Sequence, residues 1–117
     1  MPKIDRKLMA RKKEVVADLK KIIKVENIID HDDEKRPFET DALSAYKQKP
    51  LLVVFPENTN EVSEILKYCS QKRIKVVPRG AGTGLSGGAL PLADCILLCL
   101  GKFNKIIEID YKNRCVV

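Results

Sequence analysis

Tryptophan is absent from this 117-residue chain, histidine occurs once, and aromatic residues make up only 5%. Such a chain has little with which to stack nucleic-acid bases. No apolar run approaches the ~18 residues of a membrane-spanning helix. The start, Met1-Pro2-Lys3-Ile4-Asp5-Arg6, lacks the apolar stretch of a secretory signal. It is basic enough to raise a transit peptide, but Asp5, Glu14 and Asp18 argue against one, so a cytoplasmic setting is expected. None of the four cysteines (Cys69, Cys95, Cys99, Cys115) forms a Cys-x-x-Cys pair, and the one histidine, His31, is remote from them. That spacing excludes a zinc site and iron–sulfur ligation by this chain, leaving free thiols in a reducing compartment. Glycine is scarce too, with six residues. Five of them fall within residues 79–88.

What the chain does carry is unevenly placed. The length suits one small domain with a single core. The net charge is +6, and residues 1–24 hold all of it: nine Lys/Arg against three acids. The other residues balance at 13 basic and 13 acidic groups. Ile4, Leu8, Val15, Leu19 and Ile22 fall near helical spacing, so residues 3–25 are expected to form an amphipathic helix with a solvated basic face. The sharper reading of that face is a contact with anionic lipid or nucleic acid, and the segment has no aromatic residues to stack bases. His31-Asp32-Asp33-Glu34-Lys35-Arg36-Pro37 reads as an exposed, solvated connection.

From residue 51 the order of elements is legible. Leu51-Leu52-Val53-Val54-Phe55, ended by Pro56, reads as a strand buried on both faces. Asn58 and Thr59 are both acceptable helix caps, and Val62, Ile65, Leu66 and Cys69 mark one helical face to about Gln71. Ile74-Lys75-Val76-Val77 is a second strand, stopped by Pro78. Together these form a βαβ unit with a parallel pair, and Cys95 to Leu100 is a further apolar strand. The fold class is therefore α/β (α+β): an N-terminal helix, then βαβ and short strands.

Arg79-Gly80-Ala81-Gly82-Thr83-Gly84-Leu85-Ser86-Gly87-Gly88 follows the second strand. Successive amides of such a loop can converge on one anion, and open α/β sheets bind ligands at the carboxyl ends of strands. Gly82-x-Gly84-x-x-Gly87 matches the dinucleotide fingerprint, which works only when the loop opens a helix. Pro91 and the strand from Cys95 leave almost no room for one. No Gly-Lys-Ser/Thr follows the glycines, so a Walker loop is excluded as well. Either the loop's own amides hold a phosphate, or it is a surface loop without a ligand. Arg79 either neutralises ligand charge or pairs with a carboxylate of the fold.

Residues 50–56, the helix after them and residues 76–89 resemble the FAD-binding domain of the vanillyl-alcohol oxidase and p-cresol methylhydroxylase flavoproteins. Asp41-Ala42-Leu43-Ser44-Ala45-Tyr46 and Leu90-Pro91-Leu92 narrow the likeness to FAD-linked catalytic subunits of glycolate oxidase and FAD-linked D-lactate dehydrogenases. The resemblance runs from about residue 38 to the C-terminus. It implies that residues 80–88 cradle the FAD pyrophosphate through main-chain amides, with Thr83 and Ser86 hydroxyls and Arg79 assisting. It divides the chain into a helical segment, 1–48, and a partial FAD-binding domain, 49–117.

Residues 106–117 read as a hairpin cut off as its second strand begins, as expected of a truncated member of a much longer family. No catalytic base or substrate clamp is nameable. One reading is the FAD-binding portion of an oxidoreductase acting on a 2-hydroxy acid, working with an iron–sulfur electron-transfer subunit. The alternative is a non-catalytic remnant that binds FAD weakly or not at all and needs another chain to complete its core. NAD binding is the least supported, because the helix is missing.

Overall fold

Cys95–Cys99 is apolar throughout and occupies the centre of the structure, every residue of it buried. The computed structural model describes residues 3–40, 42 and 46–117. Within the Asp41–Tyr46 motif, residues 41 and 43–45 lie outside the described residues. The strands are β1 (Ile28–Ile29), β2 (Leu52–Val54), β3 (Lys75–Arg79), β4 (Cys95–Cys99), β5 (Ile109–Asp110) and β6 (Cys115–Val116). The helices are α1 (Arg6–Ala10), α2 (Lys12–Leu19), α3 (Asp32–Lys35) and α4 (Thr59–Lys72). The main sheet has the order β1-β2-β4-β3, with β2, β4 and β3 parallel and β1 antiparallel on the edge.

The expected βαβ unit is present as β2-α4-β3, but its two strands are not partners. β4 lies between them, pairing Leu52 with Ile96 on one side and Val76 with Ile96 on the other. The reason is burial: a strand apolar at every position is most stable in the middle, whereas β3 carries Lys75 and a half-buried face suited to an edge. Edge placement also explains why Pro78 does not stop β3, which runs on to Arg79. Proline is tolerated where one side of the strand bonds to nothing.

Alternation along the strands divides the apolar residues between two faces. Leu52, Val54, Ile96 and Leu98 join Ile65 and Cys69 of α4 and Leu8, Val15, Leu19 and Ile23 of the N-terminal segment in the larger cluster. Val53, Leu97 and Cys99 face the other way and meet Phe38, Phe55 and Val77. Asn58 caps α4, its Oδ1 accepting from the Glu61 N–H at 2.9 Å. Leu66, expected on the apolar face, is 46% exposed; Val62, Ile65 and Cys69 carry the contact instead.

Two other expectations change. Residues 3–25 form not one helix but α1 and α2 with a break at Arg11, followed by turns. Asp5 starts α1, its carboxylate accepting from the Leu8 N–H at 3.0 Å. The connection at residues 31–37 is a helical turn, α3, leading into a short 3₁₀ turn. Lys35 is buried there, its ammonium donating to the Leu51 carbonyl at 3.2 Å and pairing with Asp32. Removal from water pushes the Lys35 amine down, and the Asp32 carboxylate opposes that. The hairpin forms as expected: β5 and β6 pair with Ile109 opposite Val116, and the Asp110 carboxylate accepts from the Asn113 backbone N–H to close the turn.

Candidate functional site

The parallel strands β2, β4 and β3 end on the same side of the sheet, at Val54, Cys99 and Arg79. Arg79 stands opposite Cys99 in register, and the Leu100 N–H donates to the Arg79 carbonyl at 2.9 Å. No helix follows Arg79. Residues 80–94 form bends and turns until β4 begins, as Pro91 led one to expect.

The Arg79 side chain is only 6% exposed. Its Nη2 donates to the Ala89 carbonyl at 2.7 Å, which ties the far end of the loop to the strand. Its Nε is buried without a partner, and no carboxylate pairs with it among the described residues. The ion-pair role open to Arg79 is therefore not the one the fold uses. The loop contributes a second group of unused donors. Among the described residues, no backbone hydrogen bond within the chain is donated by residues 81–88. Gly82 and Gly87 have φ of +72° and +75°, in the region that favours glycine. Free amides and an unpaired guanidinium present donors and positive charge, a combination suited to an anion.

A cavity of about 330 Å³ lies at this point, lined in part by Arg79, Gly80, Ala81 and Gly82. Thr83, Gly84, Leu85, Ser86, Gly87 and Gly88 stand outside its lining, most of them exposed. Its other walls include Phe38, Phe55 and Cys99, which sequence reasoning missed. Phe38 and Phe55 meet edge to face, centroids 5.6 Å apart. Phe55 was legible as the end of a buried strand, but nothing local in the sequence places Phe38 beside it. Burial pushes the Cys99 thiol up to about 11, partly opposed by the Arg79 charge, so it stays a thiol near neutral pH.

A second, larger cavity of about 990 Å³ lies between the start of α4 and the hairpin, lined by residues such as Asn58, Thr59, Lys102 and Ile107. Gly101 borders both cavities. Lys102 is held at its edge by the Asn27 side-chain oxygen at 2.5 Å and by Glu57 at 3.5 Å. Among the described residues no group of three His, Cys, Asp or Glu side chains is placed to hold a metal ion. No described helix is long and apolar enough to cross a membrane.

Comparison with known proteins bears directly on this loop. Residues 50–117 match the family model for the FAD binding domain. Over 87 residues the chain is 49% identical to the glycolate oxidase subunit GlcD of Escherichia coli (strain K12), covering 74% of this chain and 17% of that protein. Over 95 residues it is 38% identical to the mitochondrial D-2-hydroxyglutarate dehydrogenase of Arabidopsis thaliana, covering 81% of this chain and 17% of that one. The chain thus spans 17% of the length of either relative. The fold is similar to that of p-cresol methylhydroxylase, with a TM-score of 0.73 at 21% identity, covering 93% of this chain and 21% of that one. With more than half of its residues inside the matched region, the chain belongs to the FAD binding domain family of flavoproteins.

Proposed function

We propose that residues 79–88 hold the pyrophosphate of FAD, and that the chain is the FAD-binding portion of an oxidoreductase acting on a 2-hydroxy acid such as glycolate or D-lactate. The buried, unpartnered Arg79 Nε beside the free amides of residues 81–88 carries this reading. A fold seldom leaves a guanidinium buried without an anion, because the uncompensated charge is costly. A diphosphate supplies that anion and accepts from the amides. Bound FAD would supply the acceptor for a hydride equivalent; the chain's contribution is to hold and orient it.

In this reading residues 49–117 are the partial FAD-binding domain and residues 1–48 the segment before it, whose α1 and α2 pack on one face of the sheet while β1 joins its edge. The similarity to glycolate oxidase subunit GlcD supports the substrate class; an iron–sulfur subunit as electron-transfer partner and a cytoplasmic site of action belong to the same proposal. One observation favours the second reading, a remnant that needs further polypeptide. Ile106, Ile107, Val116 and Val117 of the hairpin region are all more than 60% exposed, an apolar surface that a finished domain covers.

Titration with FAD, followed by flavin fluorescence, tests the proposal. The expected result is saturable binding, weaker than that of a full-length relative, with ADP competing. Failure of both FAD and ADP to bind the folded chain would overturn it.

A further inference from the structure

The segment holding the whole net charge takes no part in the cofactor site, and the structure shows why its charge remains available. Each acid in residues 3–24 is already engaged: Asp5 caps α1, Glu14 pairs with Arg11, and Asp18 accepts from the Tyr68 hydroxyl at 2.7 Å. Lys12 and Lys24 pair with Asp30 and Glu57. Lys3, Arg6, Lys7, Lys13, Lys20 and Lys21 have no ion-pair partner among the described residues, and all six are exposed. Within α2, Lys13 stands on the side away from the buried Val15 and Leu19.

This basic face is fixed rather than loose. Leu8, Val15, Leu19 and Ile23 seat it in the core, and the Asp5 N–H donates to Asp94 at 2.7 Å, beside the starting ends of β3 and β4. From there the segment crosses to the opposite end of the sheet, where Lys24 pairs with Glu57 just beyond β2. Ile4 and Met9, 53% and 42% exposed, stand among the cations. Five of the six free cations are lysines, point charges suited to a diffuse anionic layer rather than to bidentate reading of bases. The segment also lacks aromatic residues for base stacking.

We propose that this face seats the protein on an anionic lipid bilayer, as a peripheral contact. The lysines and Arg6 supply the attraction to headgroups, and Ile4 and Met9 supply shallow apolar contact.

The test is co-sedimentation of the full chain with phosphatidylglycerol/phosphatidylcholine vesicles and with pure phosphatidylcholine vesicles, at low and high salt. Binding is expected on the anionic vesicles alone and is expected to be lost at high salt. Replacing Lys13, Lys20 and Lys21 with Gln should lower the partition coefficient about a hundredfold at low salt. The matched variant with Lys47, Lys72 and Lys112 replaced by Gln should change it little. Circular dichroism of both variants checks that they fold. The proposal is overturned by absence of binding, by equal binding to neutral vesicles, or by equal losses in the two variants. Tighter binding to duplex DNA or RNA than to vesicles at the same salt would also overturn it, making nucleic acid the partner.

Discussion

Lys75 Nζ lies 2.7 Å from Asp94 Oδ2, joining the first residue of β3 to the residue just before β4. The same oxygen accepts from the Asp5 N–H at 2.7 Å, so one buried carboxylate ties two strand starts to the first helix. Burial favours the neutral acid, but the Lys75 ammonium and the Asp5 N–H prevail and hold its pKa below the usual 3.8. A group depressed in the folded state contributes stability above its unfolded value and loses it as pH falls through the folded one. Denaturant melts at a series of pH values should therefore show stability falling below about pH 4, with a shallower fall in Asp94→Asn. Asp94→Ala removes the acceptor of both bonds while the half-exposed Lys75 keeps water and the Lys3 carbonyl as partners, and should cost about 1–2 kcal/mol.

Gly82 and Gly84 separate backbone strain from ligand approach. Gly82 has φ +72°, where an L side chain is strained, although an added Cβ would meet Arg79 Cδ at an ordinary 3.6 Å. Gly84 has no such φ and nothing within 4 Å of an added Cβ. Gly82→Ala should therefore cost about 1 kcal/mol in thermal or denaturant unfolding, and Gly84→Ala close to nothing. Equal costs for the two would show that the loop does not hold the Gly82 conformation.

Arg79 should show opposite effects on stability and on binding. Its guanidinium is buried with one bond, to the Ala89 carbonyl, and no counter-charge, so the ligand-free fold gains little from it. Arg79→Met, similar in reach but uncharged, should leave unfolding free energy within about 1 kcal/mol of the parent. FAD affinity measured by fluorescence should fall about tenfold or more. A large stability loss with unchanged affinity would assign Arg79 a structural role alone.

The elements from Leu51 onward were legible because their signals are local: apolar runs, Pro56, the Asn58 cap and the turn at residues 111–113. The sheet order was not, since Leu51–Phe55 and Cys95–Leu100 carry the same apolar signature and only their burial in three dimensions places β4 between β2 and β3. The same limit hid the burial of Lys35, which depends on a carbonyl 16 residues away, and the role of Asp94, whose partners are Asp5 and Lys75. At the site, the glycine loop announced itself by composition. The state of Arg79 did not, because an arginine before a loop looks the same whether it finds a carboxylate or stays unpaired.

Arg73 closes α4 in the left-handed conformation, φ 54° and ψ 42°, a position where glycine is favoured. Arg73 is exposed, and its side chain makes no ion pair among the described residues. Arg73→Gly should therefore raise stability by roughly 0.5–1 kcal/mol, seen as a higher denaturation midpoint at unchanged slope. A lower midpoint would mean that the greater freedom of glycine in the unfolded chain outweighs the relieved strain.

The cysteines divide by burial in a way that alkylation can count. Cys69, Cys95 and Cys99 are buried, and burial pushes each thiol up to about 11, so at pH 8 almost none is thiolate. Cys115 is exposed, on the outer strand of the hairpin. Brief treatment with iodoacetamide at pH 8 should add one label to the native chain and four to the unfolded chain, read by intact mass. Cys115→Ser should bring the native count to zero. Cys99 borders the cavity that includes Arg79, so slow labelling there at higher pH should slow further when ADP is present, if the diphosphate occupies that cavity. A second fast label in the native chain would show that α4 or the ends of β4 open readily. The site of that label, Cys69, Cys95 or Cys99, would then identify which of them is the less stable.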